Sequence, residues 1–285
     1  MAQVTLSGGV AYGYAVGDTY SGFGTDDAYL KFAASEDLGG GLKLSASIGI
    51  DGLIETESGE STAKANGNSI VLAGGFGTVA MATGVGGDAV ALDQVMSLGK
   101  GTVGSTLGYT APAFGPVTVS FTRKSGSAVL GEGAGGSNAS LNILGAKYAA
   151  GPVAASLSLL SWNDGTSIYD GRTVITASYD LGVAKIGVFN ATQSWTAAGV
   201  TAGYIADLKN TAIQISAPVG PLSVSYERGS ASGGIIATGQ TNKGNSLSIS
   251  YALSKRTALT AKTEKWDTSA TAKSKASSLL MSHSF

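Results

Sequence analysis

The chain has 285 residues, a formal net charge of −1 and no cysteine. Only 13% of the residues are charged, about half the share of an average soluble domain, and the near-neutral balance argues against a nucleic-acid partner, which needs a basic surface. The lack of cysteine excludes disulfides, thiolate metal ligands and thiol nucleophiles. No apolar run approaches the roughly 18 to 20 residues that a membrane-spanning helix needs.

The first predicted element is a strand that begins almost at once. In VTLSGGVAYGYAV, residues 4–16, most even positions are apolar and the odd positions are small. Period two is the signature of a strand with different surroundings on its two faces. Met1 precedes this strand without a basic segment or an apolar signal core. Either the protein stays in the cytoplasm, or Met1 is an initiator for expression that replaces a signal peptide, and we favour the second interpretation. We predict a single domain over residues 2–285.

The same alternation returns along the chain. It is clear in LKLSASIGID, PVTVSFTRK, AIQISA, PLSVSYE and NSLSISYA. About sixteen such segments are predicted, most of them roughly eight to twelve residues long, which is close to the length of a tilted membrane strand.

The connections between these segments alternate in length. Short ones, rich in Gly and Pro as tight turns require, fall at residues 36–41, 73–77, 111–115 and 217–220. Long ones, rich in Asp, Glu, Asn and Ser, fall at residues 17–27, 52–68, 84–104, 126–138 and 230–244. We therefore predict an all-β fold, a transmembrane antiparallel up-and-down β-barrel of about 16 strands, with short periplasmic turns and long external loops.

The chain ends in SSLLMSHSF, where Leu279, Met281 and Phe285 alternate with serine. A sheet in lipid must close, because unpaired strand edges leave backbone groups unsatisfied. We expect the last strand to pair with the first and Phe285 to lie in an aromatic girdle at the membrane interface. Tyrosines near the ends of apolar faces fit the same girdles: Tyr12, Tyr14, Tyr109, Tyr148, Tyr179, Tyr226 and Tyr251.

Several turn sequences resemble a known family. They are ASEDLGGGLK (34–43), IVLAGGFGTVAM (70–81), YTAPAFGPVTVSF (109–121), LGAKYAAGPVAASL (144–157), YALSKRT (251–257) and the terminal LLMSHSF. They resemble the Gram-negative general diffusion porins, in particular those of β-proteobacteria, in the family's order and over the whole chain. The resemblance implies a homotrimer, and a terminal motif with His283 and Phe285 that the barrel-assembly machinery reads.

The chain departs from the family at three positions where an arginine that faces the pore is common. These positions are occupied by Thr83, Gly108 and Ser282. The family's basic ladder is therefore depleted here, and its usual selectivity does not carry over.

The family's third loop folds into the pore and narrows it, and here it corresponds to residues 84–104. Asp88 is suited to be an N-cap, and the following AVALDQVMSL has an apolar face at helical spacing. We expect this helix to pack against the inner wall and assign Asp88, Asp93 and Lys100 to the constriction. The alternative is a surface loop whose charges are solvated.

The strand phase also predicts which charges face the lumen. A lysine that faces lipid near the middle of the bilayer costs about 2 to 4 kcal/mol, whereas a wet lumen accepts it. Bases on the wall and acids in the loop would create a transverse field, whose preference for one ion sign is undecided at this point. The predicted wall residues are Lys31, Lys43, Asp51, Lys124, Lys147, Lys185, Glu227, Lys262 and Glu264.

Other chemistry is weakly represented. His283 is the only histidine and lies in the terminal motif, so we expect no catalysis and no bound metal or organic cofactor. Acidic clusters in the loops could hold Ca²⁺ or bridge lipopolysaccharide through divalent ions, although solvated charge is the simpler interpretation. These clusters are Asp26 with Asp27, and Glu55 with Glu57 and Glu60.

The leading hypothesis is a porin in the outer membrane of a Gram-negative bacterium, surrounded by outer-membrane lipid and lipopolysaccharide. It would pass ions and small hydrophilic solutes passively through a water-filled pore. Three alternatives stay open: a plugged barrel acting as an adhesin or structural anchor, a substrate-specific channel, and a soluble β-rich binding protein.

Overall fold

The computed structural model describes residues 3–53, 63–65, 67–84, 104–125, 140–163, 169–201, 203–204, 206–234, 241–267 and 273–285. Seventeen strands within these ranges form one sheet. The strands are β1 Gln3–Gly17, β2 Ser21–Gly39, β3 Leu42–Asp51, β4 Lys64–Ala65, β5 Ser69–Gly74, β6 Gly77–Gly84, β7 Gly104–Thr110, β8 Val117–Ser125, β9 Ser140–Ala150, β10 Val153–Asn163, β11 Tyr169–Asp180, β12 Lys185–Trp195, β13 Leu208–Val219, β14 Leu222–Ser232, β15 Asn242–Ala252, β16 Thr257–Asp267 and β17 Lys273–Ser284.

The sheet is a closed, fully antiparallel barrel. Consecutive wall strands pair along the chain, and β17 pairs back onto β1. The two-residue β4 only extends the ladder beside the end of β3, which also pairs with β5. Sixteen strands therefore form the wall, and the predicted up-and-down barrel is confirmed.

Closure depends on the last residue of the chain. The backbone N–H of Gly8 donates to the Phe285 carbonyl at 3.0 Å, and the Phe285 N–H donates to the Gly8 carbonyl at 3.0 Å. The ladder continues from Gly9 opposite Ser284 to Gly17 opposite Ala276. The Phe285 ring lies over Gly8, where a Cβ would come within 2.5 Å of the ring carbon Cζ.

Alternate side chains face opposite sides of the wall. In β1 the apolar residues at even positions, such as Leu6 and Val10, are exposed on the outside. Because directly paired residues point to the same side of a sheet, the register carries this assignment around the barrel. The outward face is rich in Leu, Ile, Val and Tyr, and the inward face carries Ser, Thr, Gly and charged residues.

The seven predicted girdle tyrosines all lie on the outward face and are exposed. Tyr148 and Tyr179 lie close to the short turns, as does Tyr251, which pairs with Leu222 at the start of β14. At the opposite rim, the rings of Tyr14 and Phe23 pack edge to face with centroids 4.9 Å apart. Aromatic residues thus flank the apolar band at both ends, as the interfaces of a bilayer favour.

The same side-chain to backbone hydrogen bond occurs in two of the short turns. Asp37 and Asp180 each begin the sequence Asp-Leu-Gly at the end of a strand. The Asp37 Oδ1 accepts the Gly39 N–H at 2.9 Å, and the Asp180 Oδ1 accepts the Gly182 N–H at 2.7 Å. Both glycines have φ of 81°, a conformation that glycine adopts without steric cost.

The first long connection is shorter than predicted. Residues 17–27 were expected to form a loop, but β2 begins at Ser21 and only residues 18–20 lie outside the two strands. The Gly- and Asp-rich composition is compatible with a strand here because Phe23 pairs with Tyr14. A bulge at Asp26 absorbs the resulting shift in register.

One helix, α1 Ala197–Thr201, lies in the connection between β12 and β13. Thr196 caps it, since its Oγ1 accepts the Gly199 N–H at 3.3 Å. Within the ranges given above, no helix is long and apolar enough to cross a membrane. The predicted helix after Asp88 lies outside the described residues.

Glycine at the seam gives a test of closure. A Cβ at Gly13 would overlap the backbone oxygen of Leu279, whereas Gly22 has nothing within 4 Å. We expect Gly13→Ala to destabilise the barrel by about 1 to 3 kcal/mol, because backbone atoms must move apart. Thermal unfolding in detergent, followed by the gel shift between folded and unfolded barrel, measures this. Gly22→Ala should melt like the parent, and equal melting of both variants would contradict the seam geometry.

Because the chain has no cysteine, single cysteines test the two faces. Ser158 faces inward and Leu159 faces outward in β10. In lipid bilayers, Ser158→Cys should react with a charged, water-soluble thiol reagent, while Leu159→Cys should react only with an apolar one. Mass spectrometry reads both adducts, and the reverse pattern would show that the phase is wrong.

Candidate functional site

The inward face of the wall carries the charges of the candidate site. The register places all nine predicted wall residues there, each between outward-facing neighbours. These are Lys31, Lys43, Asp51, Lys124, Lys147, Lys185, Glu227, Lys262 and Glu264. The charges lie at different heights along the pore, and both signs are present.

Three lysines lie at the short-turn end of the lumen. Lys43 is the second residue of β3, Lys185 begins β12, and Lys147 lies three residues before the end of β9. All three side chains are exposed to the lumen. Lys147 and Lys185 share a cleft of about 430 Å³ on the inner wall, whose floor includes the hydrogen-bonded pair Ser156 and Thr176.

Two carboxylates lie at mid-height on β14 and β16, and Glu227 also lines the cleft of Lys147 and Lys185. Glu227 pairs with Ser246, which in turn pairs with Glu264, so the three share one row. Glu227 is only 3% exposed, and its Oε2 accepts a hydrogen bond from the Gln214 amide at 3.4 Å. Glu264 is 9% exposed, and its Oε2 lies 2.8 Å from the Lys262 Nζ. Both carboxylates are therefore engaged by wall side chains, and Lys262 offsets the charge of Glu264.

The loop end of the lumen contains a third group, on β2 and β3. Asp51 lies here with Lys31, and the cleft of about 290 Å³ that they line also contains Asp27 and Tyr29. Asp27 pairs with Ala11 and therefore faces inward. It was predicted only as part of an acidic loop, because the strand was not expected to extend this far.

Sequence reasoning also missed an inward arginine and an aromatic cluster. Arg172 faces inward opposite Leu160 and Gln193; the bulge beside it conceals its phase in the sequence.

The aromatic cluster lies at the loop end and is called the mouth cluster. It consists of Trp162, Tyr169, Trp195 and Tyr204, whose successive ring centroids are 5.3, 5.5 and 4.2 Å apart. The Trp195 indole N–H donates to the Ala206 carbonyl at 2.9 Å. Two pairs are tilted and the Trp195–Tyr204 pair is stacked, so the rings stabilise the connection between β12 and β13. The only sequence signal is that the tryptophans occur at the loop-side ends of strands.

The three positions where the family commonly has arginine do not all face the same side of the barrel wall. Gly108 and Ser282 face inward, but Thr83 pairs with Ser105 on the outward face. The absence of arginine at Thr83 therefore removes no charge from the lumen of this barrel, contrary to the expectation that all three positions face the pore.

The remaining candidate residues are placed as follows. His283 faces outward opposite Val10, with its Nδ1 2.9 Å from the Thr257 Oγ1, and Phe285 closes the seam. The constriction residues Asp88, Asp93 and Lys100, and the acidic residues Glu55, Glu57 and Glu60, lie outside the described residues. In the described part of the chain, no three His, Asp or Glu side chains form a metal-binding group; calcium at the acidic loops stays a prediction.

Comparison with solved structures finds barrels of the same fold. An anion-selective porin from Comamonas acidovorans is 20% identical with a TM-score of 0.78, and each chain is covered to 100%. A porin whose structure was refined at 1.8 Å resolution is 18% identical with a TM-score of 0.75, at 99% coverage of this chain and 100% of that chain. The trimer form of OmpT, an outer-membrane protein of Vibrio cholerae, is 13% identical with a TM-score of 0.70, at 100% and 99% coverage.

Comparison with curated proteins finds no match. A family model described as Gram-negative porin matches residues 1–271, which is nearly the whole chain. This match, the closed barrel and its charged inner wall indicate a channel rather than an enzyme, and nothing among them supports the adhesin alternative. The chain belongs to the Gram-negative porins and is a diffusion channel of the outer membrane.

Proposed function

We propose that this porin passes ions and small hydrophilic solutes with a weak preference for anions, works as a homotrimer, and has no catalytic activity. The preference for anions rests on one observation about the wall. Four of its six lysines are exposed to the lumen, whereas its central carboxylates are buried and engaged. Ions in the pore therefore meet accessible positive charge more than accessible negative charge.

The accessible lysines are Lys31, Lys43, Lys147 and Lys185. On the acidic side, Asp37, Asp51 and Asp180 each accept a backbone N–H group, and Asp27 lies near the loop end beside Asp51. Charged walls of a narrow pore attract the opposite ion and raise its local concentration. Because both signs occur, we expect a modest preference rather than exclusion of cations.

We further propose that residues 84–104 narrow the pore, with Asp88, Asp93 and Lys100 at the constriction. Support comes from the inward face of β12 to β16, where most buried residues of the described chain lie. Asn210 is fully buried there, and Gln193 is 3% exposed. A wall that faced only open water would leave such side chains accessible, so this part of the wall is suited to be covered from the inside.

The homotrimer has support from the outer surface. Large apolar side chains are exposed on the outward face, and one structure of the same fold is a trimer form. Lipid and lipopolysaccharide would cover the rest of that surface, and the barrel-assembly machinery would read the terminal strand with His283 and Phe285. A substrate-specific channel is less favoured, because the rings of the mouth cluster pack against one another and are only partly exposed to a solute.

The anion preference is tested by reversal potentials under a salt gradient in planar bilayers. The parent should give the sign of an anion-preferring channel. Lys147→Gln combined with Lys185→Gln should shift the potential toward cations, because two accessible charges leave the wall. The matched control is Lys255→Gln with Arg256→Gln, two exposed cations of a short turn outside the barrel wall, which should leave the sign unchanged. A cation-preferring parent would overturn the proposal, and insertion without conductance would overturn the open channel itself.

The constriction is tested by Asp88→Asn combined with Asp93→Asn. If these carboxylates face the narrowest part, their removal should strengthen the anion preference and change the single-channel conductance. The same two measurements on Glu55→Gln with Glu57→Gln, from another predicted loop, serve as the comparison. Identical conductance and potential in both double variants would place the two aspartates outside the pore.

A further inference from the structure

Outward-facing cations are concentrated on one part of the barrel surface. In the described strands from β1 to β12, only Arg123 is a basic residue on the outward face. Strands β13 to β17 carry six at their loop ends, and we call this group the basic band: Lys209, Arg228, Lys243, Lys265, Lys273 and Lys275. All six side chains are exposed.

The register brings the members of the band together in adjacent rows. Arg228 pairs with Asn245, Asn245 with Lys265, and Lys265 with Lys275, so three cations share one row across four strands. Two residues closer to the loops, Lys243 pairs with Ser230, and Lys273 pairs with Asp267. Since neighbouring strands lie about 4.8 Å apart, the charges of a row lie within reach of a single large anion.

The band has few matching acids on its own surface: among the described residues of β13 to β17, Asp267, which faces Lys273, is the single outward acid. Lys265 and Lys275 face each other directly, and like charges at such a position are destabilising. Within the described part of the chain, the band residues make no salt bridge. The nearby acids Asp267 and Asp18 accept the backbone N–H groups of Lys243 and Lys275, at 2.8 and 3.2 Å.

Arg123, the outward-facing cation outside the basic band, is hydrogen-bonded to neighbouring side chains. Its guanidinium donates to the Asn142 Oδ1 at 3.2 Å and to the Ser140 Oγ at 3.1 Å. Arg228 has the equivalent position next to Asn245 but no comparable hydrogen bond among the described residues. The difference indicates that the basic band is suited to a ligand from outside the chain.

The position of the basic band along the barrel axis determines which layer of the membrane surrounds it. Tyr226 and Leu247 follow on the short-turn side of its lower row and belong to the apolar surface. An outward cation costs about 2 to 4 kcal/mol at the bilayer midplane but only about 0 to 1 near the interface. With the long loops external, the band lies at the level of the outer-leaflet head groups.

We propose that the basic band binds the phosphate groups of lipopolysaccharide in the outer leaflet. Arg228 from one row and Lys243 from the other line a cleft of about 280 Å³, together with the hydroxyl-bearing Thr211 and Ser230. Guanidinium and ammonium groups bind phosphate through charge-assisted hydrogen bonds, and hydroxyl groups complete such a site. This inference rests on the outer-membrane location but not on the ion preference of the pore.

Binding of bisphosphorylated lipid A to the full chain in detergent micelles tests the proposal. Lys265→Gln combined with Lys275→Gln should bind at least about tenfold more weakly, because two charge-assisted contacts are lost. Lys255→Gln with Arg256→Gln removes the same charge from the opposite rim and should bind like the parent. Without lipid A, the first variant should melt at the same or a higher temperature than the parent, since two opposed like charges are removed; if it fails to fold, Arg228→Gln replaces it.

Three results would overturn the proposal. Parent-like affinity in the band variant would mean that the band does not bind lipid A. Equal binding of dephosphorylated lipid A would mean that acyl chains are recognised, and equal stabilisation by inorganic phosphate alone would mean a free-anion site. Single-channel conductance of the same preparations separates this test from the channel function, because lost lipid A binding with conductance retained leaves the porin assignment intact.

Discussion

Every strand edge of this sheet must be hydrogen-bonded, because lipid offers backbone groups no partner and each unsatisfied group costs several kcal/mol. The register satisfies this requirement through sixteen wall strands and one seam. Closure in turn creates the two environments on which the other features depend. Outside, large apolar side chains and aromatic girdles meet the membrane; inside, charges that lipid would reject line a wet lumen.

The proposed ion preference follows from the uneven accessibility of the charged side chains on the inner wall. Lysines at the short-turn end remain accessible, while Glu227 and Glu264 are held by Gln214 and Lys262. The wall therefore contains nearly balanced formal charge but unbalanced accessible charge. A similar contrast exists on the outside, where Arg123 is hydrogen-bonded to Asn142 and Ser140, whereas Arg228 has no such bond to a described residue. On both faces, what a charge contacts matters more for its role than the number of charges.

Much of this arrangement was predictable from the sequence, because period two has physical consequences. A one-residue error would turn Lys147 or Lys262 toward lipid, so the alternation of residues along the sequence was enough to assign the strand phase. What escaped prediction depends on partners distant in sequence. The strand at 21–27 exists because Phe23 meets Tyr14, the mouth cluster assembles from separate connections, and Thr83 faces outward because of the register that its strand takes. The constriction loop could be assigned only through family resemblance.

The seam between β1 and β17 also constrains the order of folding. Gly8 and Phe285 are separated by almost the whole chain, so their ladder is the contact of highest sequence separation in the barrel. Hairpins between neighbouring strands can form locally, but the loop-closure entropy of the final pairing has to be overcome last. Until then the curled sheet has two free edges that are competent to pair with other chains. The interval before closure is therefore when this protein is most exposed to aggregation, and a chaperone that protects those two edges would be most effective then.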